Sequence, residues 1–404
     1  MAEKAREYPE LRFQGFSGAW EKRKSKSLFQ SIVEKGKSNL PVLSVTQDSG
    51  VVFRDEIDIN IKYDHSTLDS YKVVHPGDFV ISLRSFQGGF ELSNKLGITS
   101  PAYTIFISRD PSKQSNLFWE VQFKSYRFVE SLKTVTFGVR DGKSISFKEF
   151  SDLKLLYPID IKEQIQIGTF FKSLDDLITV NQRKLNELKK LKKAYLQKMF
   201  PKNGVSIPEL RFAGFTTPWE KRKLGDVSDI QGGGTPDSKN QAYWSGDINW
   251  FTPTEVFNQG YLSESRRKIT KEGLLKSSAT LMPPGTVLMT SRAGVGDMGI
   301  LTQAAATNQG FQSMIPHKEM PSYLLYSMQF FISRMANKLA SGSTFMEISG
   351  KQLAKIEVMI PGDSQERELL CNFFKNLDDM ITVNQRKLDK LKELKKGYLQ
   401  KMFI

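Results

Sequence analysis

SLDDLITVNQRKLNELKKLKKAYLQKMF occupies residues 173–200 and returns as NLDDMITVNQRKLDKLKELKKGYLQKMF at residues 376–403. The two copies differ at six of 28 positions. Steps of four and three through the first copy meet Leu174, Ile178, Asn181, Leu185, Leu188, Lys192, Tyr195 and Met199. The second copy repeats them as Leu377, Ile381, Asn384, Leu388, Leu391, Lys395, Tyr398 and Met402. This spacing lays a narrow apolar stripe along a long helix, the pattern of a coiled-coil seam. Asn181 and Asn384 stand either as polar seam residues that fix register or as half-exposed positions near a helix start.

The identity extends beyond the seam. A core requirement alone lets Leu, Ile and Met exchange and leaves the outer face free. Yet Gln182, Arg183, Lys184, Lys193, Gln197 and Lys198 recur as Gln385, Arg386, Lys387, Lys396, Gln400 and Lys401. We read these outward positions as one surface offered twice to the same protein partner. Recent duplication is the competing explanation, and the far greater divergence of the chain between the copies weakens it.

A second repeat follows the first. Residues 8–24 read YPELRFQGFSGAWEKRK and residues 207–223 read IPELRFAGFTTPWEKRK, an offset of 199 residues against 203 at the helices. In the middle of the chain this segment follows the helix through a short linker, residues 201–208. If the halves are equivalent, residues 8–24 pack where the second helix would lead, and the helices run antiparallel about a pseudo-two-fold axis. Phe13, Phe16 and Trp20, with Phe212, Phe215 and Trp219, are expected to pack this junction.

Between the repeats lie two diverged blocks, residues 25–157 and 224–360. Short β-rich runs at 41–45, 51–53 and 79–83 alternate with Gly, Asn and Asp turns, and residues 117–132 read as a helix. The second block matches with a strand at 285–290 and a helix at 323–339 whose apolar face is Leu324, Leu325, Met328, Ile332, Met335 and Leu339. PGDFVISLR at 76–84 aligns with PGTVLMTSR at 284–292. Ser146 with Glu149, and Ser349 with Gln352, form capping boxes ahead of strands that end at Pro158 and Pro361. The expected fold is therefore mixed α+β: two α/β domains joined by two long helices in an antiparallel coiled coil, with a pseudo-two-fold internal repeat. The boundaries are 1–157, 158–200, 201–360 and 361–404.

The 404 residues carry 58 basic and 44 acidic side chains, a net +14, which favours a polyanionic partner. Nucleic acid is the expected one, since no basic amphipathic anchor helix supports a membrane surface. One cysteine, Cys371, excludes internal disulfides and a CxxC metal site. With no apolar signal core and no run of about 18 apolar residues, a cytoplasmic location is expected.

Catalytic patterns fail on inspection. GVRDGKS at 138–144 has three residues between its glycines where a phosphate-binding loop needs four. Met282-Pro283-Pro284-Gly285 lacks the leading Asn or Asp of a methyltransferase motif. His65, His75 and His317 are too scattered for a metal cluster or triad.

Near-identical helices flanking two variable blocks, with SLDDLITVNQRKL in the helix and PELRF…WE after it, resemble the specificity subunit of type I restriction-modification systems along essentially the whole chain. The resemblance implies two target recognition domains, each reading half of a bipartite sequence in double-stranded DNA. It implies two modification (adenine methyltransferase) subunits docked on the helices, and restriction subunits beyond them. S-adenosylmethionine, ATP and Mg²⁺ then belong to those partners, and this chain binds no cofactor and catalyses nothing. Twenty-eight helical residues span roughly 40 Å, against ~34–36 Å for one turn of DNA, so the helices are expected to act as a ruler for the unspecified gap.

Candidate DNA contacts in the second block are Gly234, Thr235, Lys239, Arg292, Asn308, Gln309, Ser343 and Thr344. Arg pairs with guanine, and Asn or Gln with adenine. Arg84, Gln87, Arg140 and Lys143 are the first-block candidates, although residues 24–38 lack the GGGTP loop of the second. Arg266, Arg267 and Lys268 read as phosphate-backbone contacts or solvated cations. The candidate partner face is Gln182, Arg183, Lys184, Gln197 and Lys198 with Gln385, Arg386, Lys387, Gln400 and Lys401. The rival readings are a coiled-coil adaptor that touches no nucleic acid, and a stand-alone nuclease.

Overall fold

The computed structural model describes residues 8–46, 50–57, 65–82, 89–135, 145–202, 205–256, 260–292, 294–340 and 346–404. The chain divides into two compact units, Met1–Gln182 with Arg386–Ile404, and Arg183–Gln385. Two long helices, Ile161–Met199 and Ser364–Lys401, each contribute to both. They start 12 residues ahead of the repeated stretches, about three turns, and those turns already carry core residues such as Ile167, Phe171, Leu370 and Phe374.

In the first unit the helix segments run antiparallel. Phe170 meets Tyr398 at 5.1 Å between ring centroids, Asp175 accepts from Lys395 at 2.5 Å, and Gln182 accepts from Lys392 at 3.4 Å. Residue numbers rise on one side as they fall on the other. The second unit repeats this order with Phe373 and Tyr195 at 5.0 Å, Asp378 and Lys192 at 2.5 Å, and Gln385 and Lys189 at 3.4 Å. Leu174, Leu185, Leu188, Met199, Leu377, Leu388 and Met402 are buried, as the seam requires.

Register comes from a different source than the seam asparagines. Asn181 Nδ2 donates to the Leu177 carbonyl and Asn384 Nδ2 to the Met380 carbonyl, each at 2.7 Å one turn back on its own helix. The seam lysines Lys192 and Lys395 supply the cross-helix pairing instead, each laying an apolar stem along the seam and reaching an aspartate. In the second unit the Tyr323 hydroxyl also donates to Asp378, which ties the second variable block to the helix. Burial and the Asp378 charge push the Tyr323 phenol up, so it remains a donor at neutral pH.

Each unit closes on its PELRF segment. Leu11 N donates to Lys401 O at 3.0 Å in the first, and Leu210 N to Lys198 O at 2.9 Å in the second. Arg12 grips Glu163 through two hydrogen bonds of 2.7 Å, with Trp20 Nε1 on the same carboxylate at 3.4 Å. Arg211, Glu366 and Trp219 repeat the arrangement at 2.7, 2.7 and 3.2 Å. Phe13 packs edge-on against Phe170, and Phe212 against Phe373, as expected of a junction.

The blocks themselves are small sheets with short helices. Strands Glu21–Lys24 and Lys154–Tyr157 pair antiparallel, as do Glu220–Lys223 and Glu357–Ile360 at the equivalent place. The first block has a four-stranded antiparallel sheet ordered Phe29–Ser31, Thr104–Ser108, Phe79–Ile81, Phe90–Leu92. Its core is aromatic, with Phe29, Phe79, Phe90, Phe106, Trp119, Phe123 and Phe150 fully buried. The second has a five-stranded sheet ordered Ser228–Gly232, Gln312–Pro316, Val287–Met289, Met298–Leu301, Tyr261–Leu262, and a three-stranded sheet centred on Trp244–Phe251.

Both capping boxes form as the sequence suggests. Two expected helices are broken in two. Residues 117–132 become Asn116–Gln122 and Tyr126–Leu132, because Ser125 adopts an extended backbone and accepts from Phe128 N as a new cap. Residues 323–339 become Ser322–Ser327 and Gln329–Ala340. Within the expected apolar face Leu324, Leu325, Met328 and Ile332 are buried, whereas Leu339 is exposed.

Candidate nucleic-acid interface

The strand Ser228–Gly232 runs directly into Gly233, Gly234 and Thr235, and close approach explains the glycines there. A Cβ on Gly233 would lie 2.0 Å from the Asn308 carbonyl oxygen and 2.2 Å from Thr307 Oγ1; one on Gly234 would lie 2.3 Å from Ser278. Gly234 N donates to Thr307 O at 2.9 Å, and its carbonyl accepts from the buried Trp250 Nε1 at 2.9 Å. The loop is thus pressed onto residues 307–310.

Side chains complete the lacing. Thr235 Oγ1 donates to Gln309 Oε1 at 2.5 Å, and Gly310 N donates to Asn308 Oδ1 at 2.9 Å. Ser291 N donates to Gly310 O at 2.8 Å, and next to it Arg292 Nε pairs with Glu347 Oε1 at 2.8 Å. Four segments distant in sequence therefore converge on one edge of the second unit. Gly234, Thr235, Arg292, Asn308 and Gln309 are brought together there. Lys239 lies further along the same loop, exposed, with its backbone N–H on Asp237 Oδ1. Ser343 and Thr344, and Arg84, Gln87, Arg140 and Lys143 of the first block, fall outside the described residues.

A feature that sequence reasoning missed sits in the same block. The Arg267 guanidinium stacks 3.7 Å above the Trp244 ring, and Trp244 meets Trp250 edge-on at 5.1 Å. A regular strand holds residues six apart at about 20 Å. Here Trp244 and Ile248 both pair with Ile269, and this register shift folds the intervening residues out and brings the indoles together. Arg267, read from sequence as a solvated or phosphate-contacting cation, is held by an aromatic face.

On the helices, Arg183, Lys184, Gln197, Lys198, Arg386, Lys387, Gln400 and Lys401 are exposed. Gln182 and Gln385 are half-buried and accept from Lys392 and Lys189, so they belong to the helix pairing as well as to the repeated outer face. Lys198 is bridged to Glu209 at 2.9 Å.

A model of the type I restriction modification DNA specificity domain matches residues 19–190 and again residues 216–393. The chain belongs to this family. The two matches coincide with the two copies of the internal repeat. Among its relatives in the type I specificity family, the MjaIX specificity subunit of Methanocaldococcus jannaschii is 32% identical over 190 residues, 46% of this chain and 44% of that protein. The HindI specificity subunit of Haemophilus influenzae is 23% identical over 232 residues, 55% of this chain and 50% of that protein. The chain thus spans about half the length of these curated relatives. The crystal structure of the S subunit of a type I restriction-modification system from M. genitalium shares the fold, with a TM-score of 0.67 at 14% identity over 98% of this chain and 99% of that one. Among the described residues no helix is long and apolar enough to cross a membrane.

Proposed function

We propose that this chain is the DNA-recognition subunit of a type I restriction-modification complex, in which each unit reads one half of a bipartite sequence in double-stranded DNA. The observation that carries this reading is a contrast. Helix pairing and junction contacts are duplicated residue for residue, while the blocks they support differ in sheet order and loops. One mechanical task is done twice and two different targets are addressed. The laced edge at residues 233–235, 291–292 and 307–310 is the recognition surface of the second unit, and Lys239 and Arg266 are its phosphate contacts.

The exposed, repeated positions Arg183, Lys184, Gln197 and Lys198, with Arg386, Lys387, Gln400 and Lys401, dock two modification subunits, and restriction subunits join through them. S-adenosylmethionine, ATP and Mg²⁺ serve chemistry carried out by those partners. This chain supplies address rather than catalysis, and its helices set the unspecified gap.

The test is a genome-wide methylation map of cells expressing the chain with its neighbouring modification subunit, compared with cells lacking this chain alone. One split motif, two short specified parts around a fixed gap, is the expected result. A stable complex that adds no methylation would favour the adaptor reading. Within the same experiment Gly233→Val is expected to abolish the second specified part, because its Cβ meets a backbone carbonyl that no side-chain motion relieves. Affinity for duplexes carrying only the second half-site should fall by about tenfold or more, with first half-site binding unchanged.

A further inference from the structure

The laced edge has a hydrogen-bond polarity, and that polarity selects a base. A Gln or Asn side chain pairs with adenine by accepting from N6 with its oxygen and donating to N7 with its nitrogen, so both ends of the amide must face the base. At Gln309 the oxygen is engaged by the Thr235 hydroxyl at 2.5 Å. That separation suits O–H···O, with the Thr235 hydroxyl donating and the amide oxygen accepting. At Asn308 the oxygen is fixed by the Gly310 N–H at 2.9 Å. A backbone N–H only donates, so the partner atom there must be the acceptor. Arg292 has donors alone, and Glu347 holds it through Nε.

The acceptor atoms of Gln309 and Asn308 are thus engaged by neighbours within this edge, and Arg292 has none. Among the described residues neither Gln309 Nε2 nor Asn308 Nδ2 has a protein acceptor. We propose that this edge reads a guanine through its two major-groove acceptors, N7 and O6, and that Thr235 is the specificity-determining residue that denies adenine by holding Gln309 in the donor orientation. The proposal rests on the DNA-reading function above. It reverses the simple expectation that Asn308 and Gln309 mark an adenine.

Thr235→Val keeps the shape and removes the hydroxyl, so Gln309 is free to turn. One guanine position of the second half-site should relax to guanine or adenine in the methylation map. Gln309→Glu replaces the outward donor by an acceptor, and methylation at the guanine motif should fall about tenfold or more, with cytosine gaining at that position. The first half-site reports folding within each variant. Should a variant lose all methylation, binding of the wild-type complex to duplexes carrying 7-deazaguanine at each guanine of the second half-site decides instead. A loss of about tenfold at one guanine supports the proposal, and no loss at any overturns it. A wild-type motif that both variants leave unchanged, or a second half-site specified without guanine on either strand, also overturns it. Absence of any wild-type motif would refute the proposed function rather than this assignment.

Discussion

Glu366→Ala is expected to destabilise the second unit by about 3–5 kcal/mol, the cost of breaking a buried ion pair from one side. The Glu366 side chain is 1% exposed and both carboxylate oxygens are taken by Arg211 at 2.7 Å. Trp219 Nε1 donates to the same group at 3.2 Å. Alanine leaves a guanidinium that is 11% exposed, whose Nη1 already has no partner, with only the Thr217 carbonyl still accepting from Nη2. Glu366→Gln keeps one acceptor and should cost less. Urea unfolding followed by tryptophan emission makes the measurement, and a loss below about 1 kcal/mol would mean the pair is solvated like a surface bridge. Asp152→Ala provides that reference, because its bridge to Lys24 has partners 58% and 45% exposed and its loss should leave stability nearly unchanged.

Phe403→Ala is expected to cost the first unit about 3–5 kcal/mol, whereas the sequence-equivalent Phe200→Ala should cost the second unit clearly less. The two positions are identical in the repeat and different in surroundings. Phe403 is 2% exposed among Trp20, Phe118 and Phe171, with ring centroids at 6.1, 5.8 and 5.8 Å. Phe200 is half-buried against Trp219 and Phe374 at 5.7 and 5.8 Å. The difference arises in the first variable block, which offers Phe118 to Phe403. Equal losses in denaturant unfolding would refute the ranking.

Local rules carried the sequence reading a long way. The seam and the capping boxes depend on residues three or four apart, and both appear in the structure because nothing distant competes with them. The same rules failed where a distant contact decides. Arg12 and Arg211 stand inside the repeated PELRF, yet their carboxylate partners lie 151 and 155 residues away. The breaks at Ser125 and at Met328 interrupt helices whose apolar spacing continues unbroken. At the candidate site, residue type pointed to Thr235, Arg292, Asn308 and Gln309. The direction in which each amide faces is set by neighbours more than 70 residues off in the case of Gln309, and by the turn at Gly310 for Asn308. Composition is silent on such orientation.

Duplicated pairing also has a genetic consequence. Asp175 with Lys395 and Asp378 with Lys192, Gln182 with Lys392 and Gln385 with Lys189, are interchangeable partners. A recombination event with its crossover in the near-identical helix would hand an incoming block the same lysine, aspartate and glutamine contacts it left behind. If the blocks read DNA as proposed, exchanging one block would change one half of the target and leave the other half as it was.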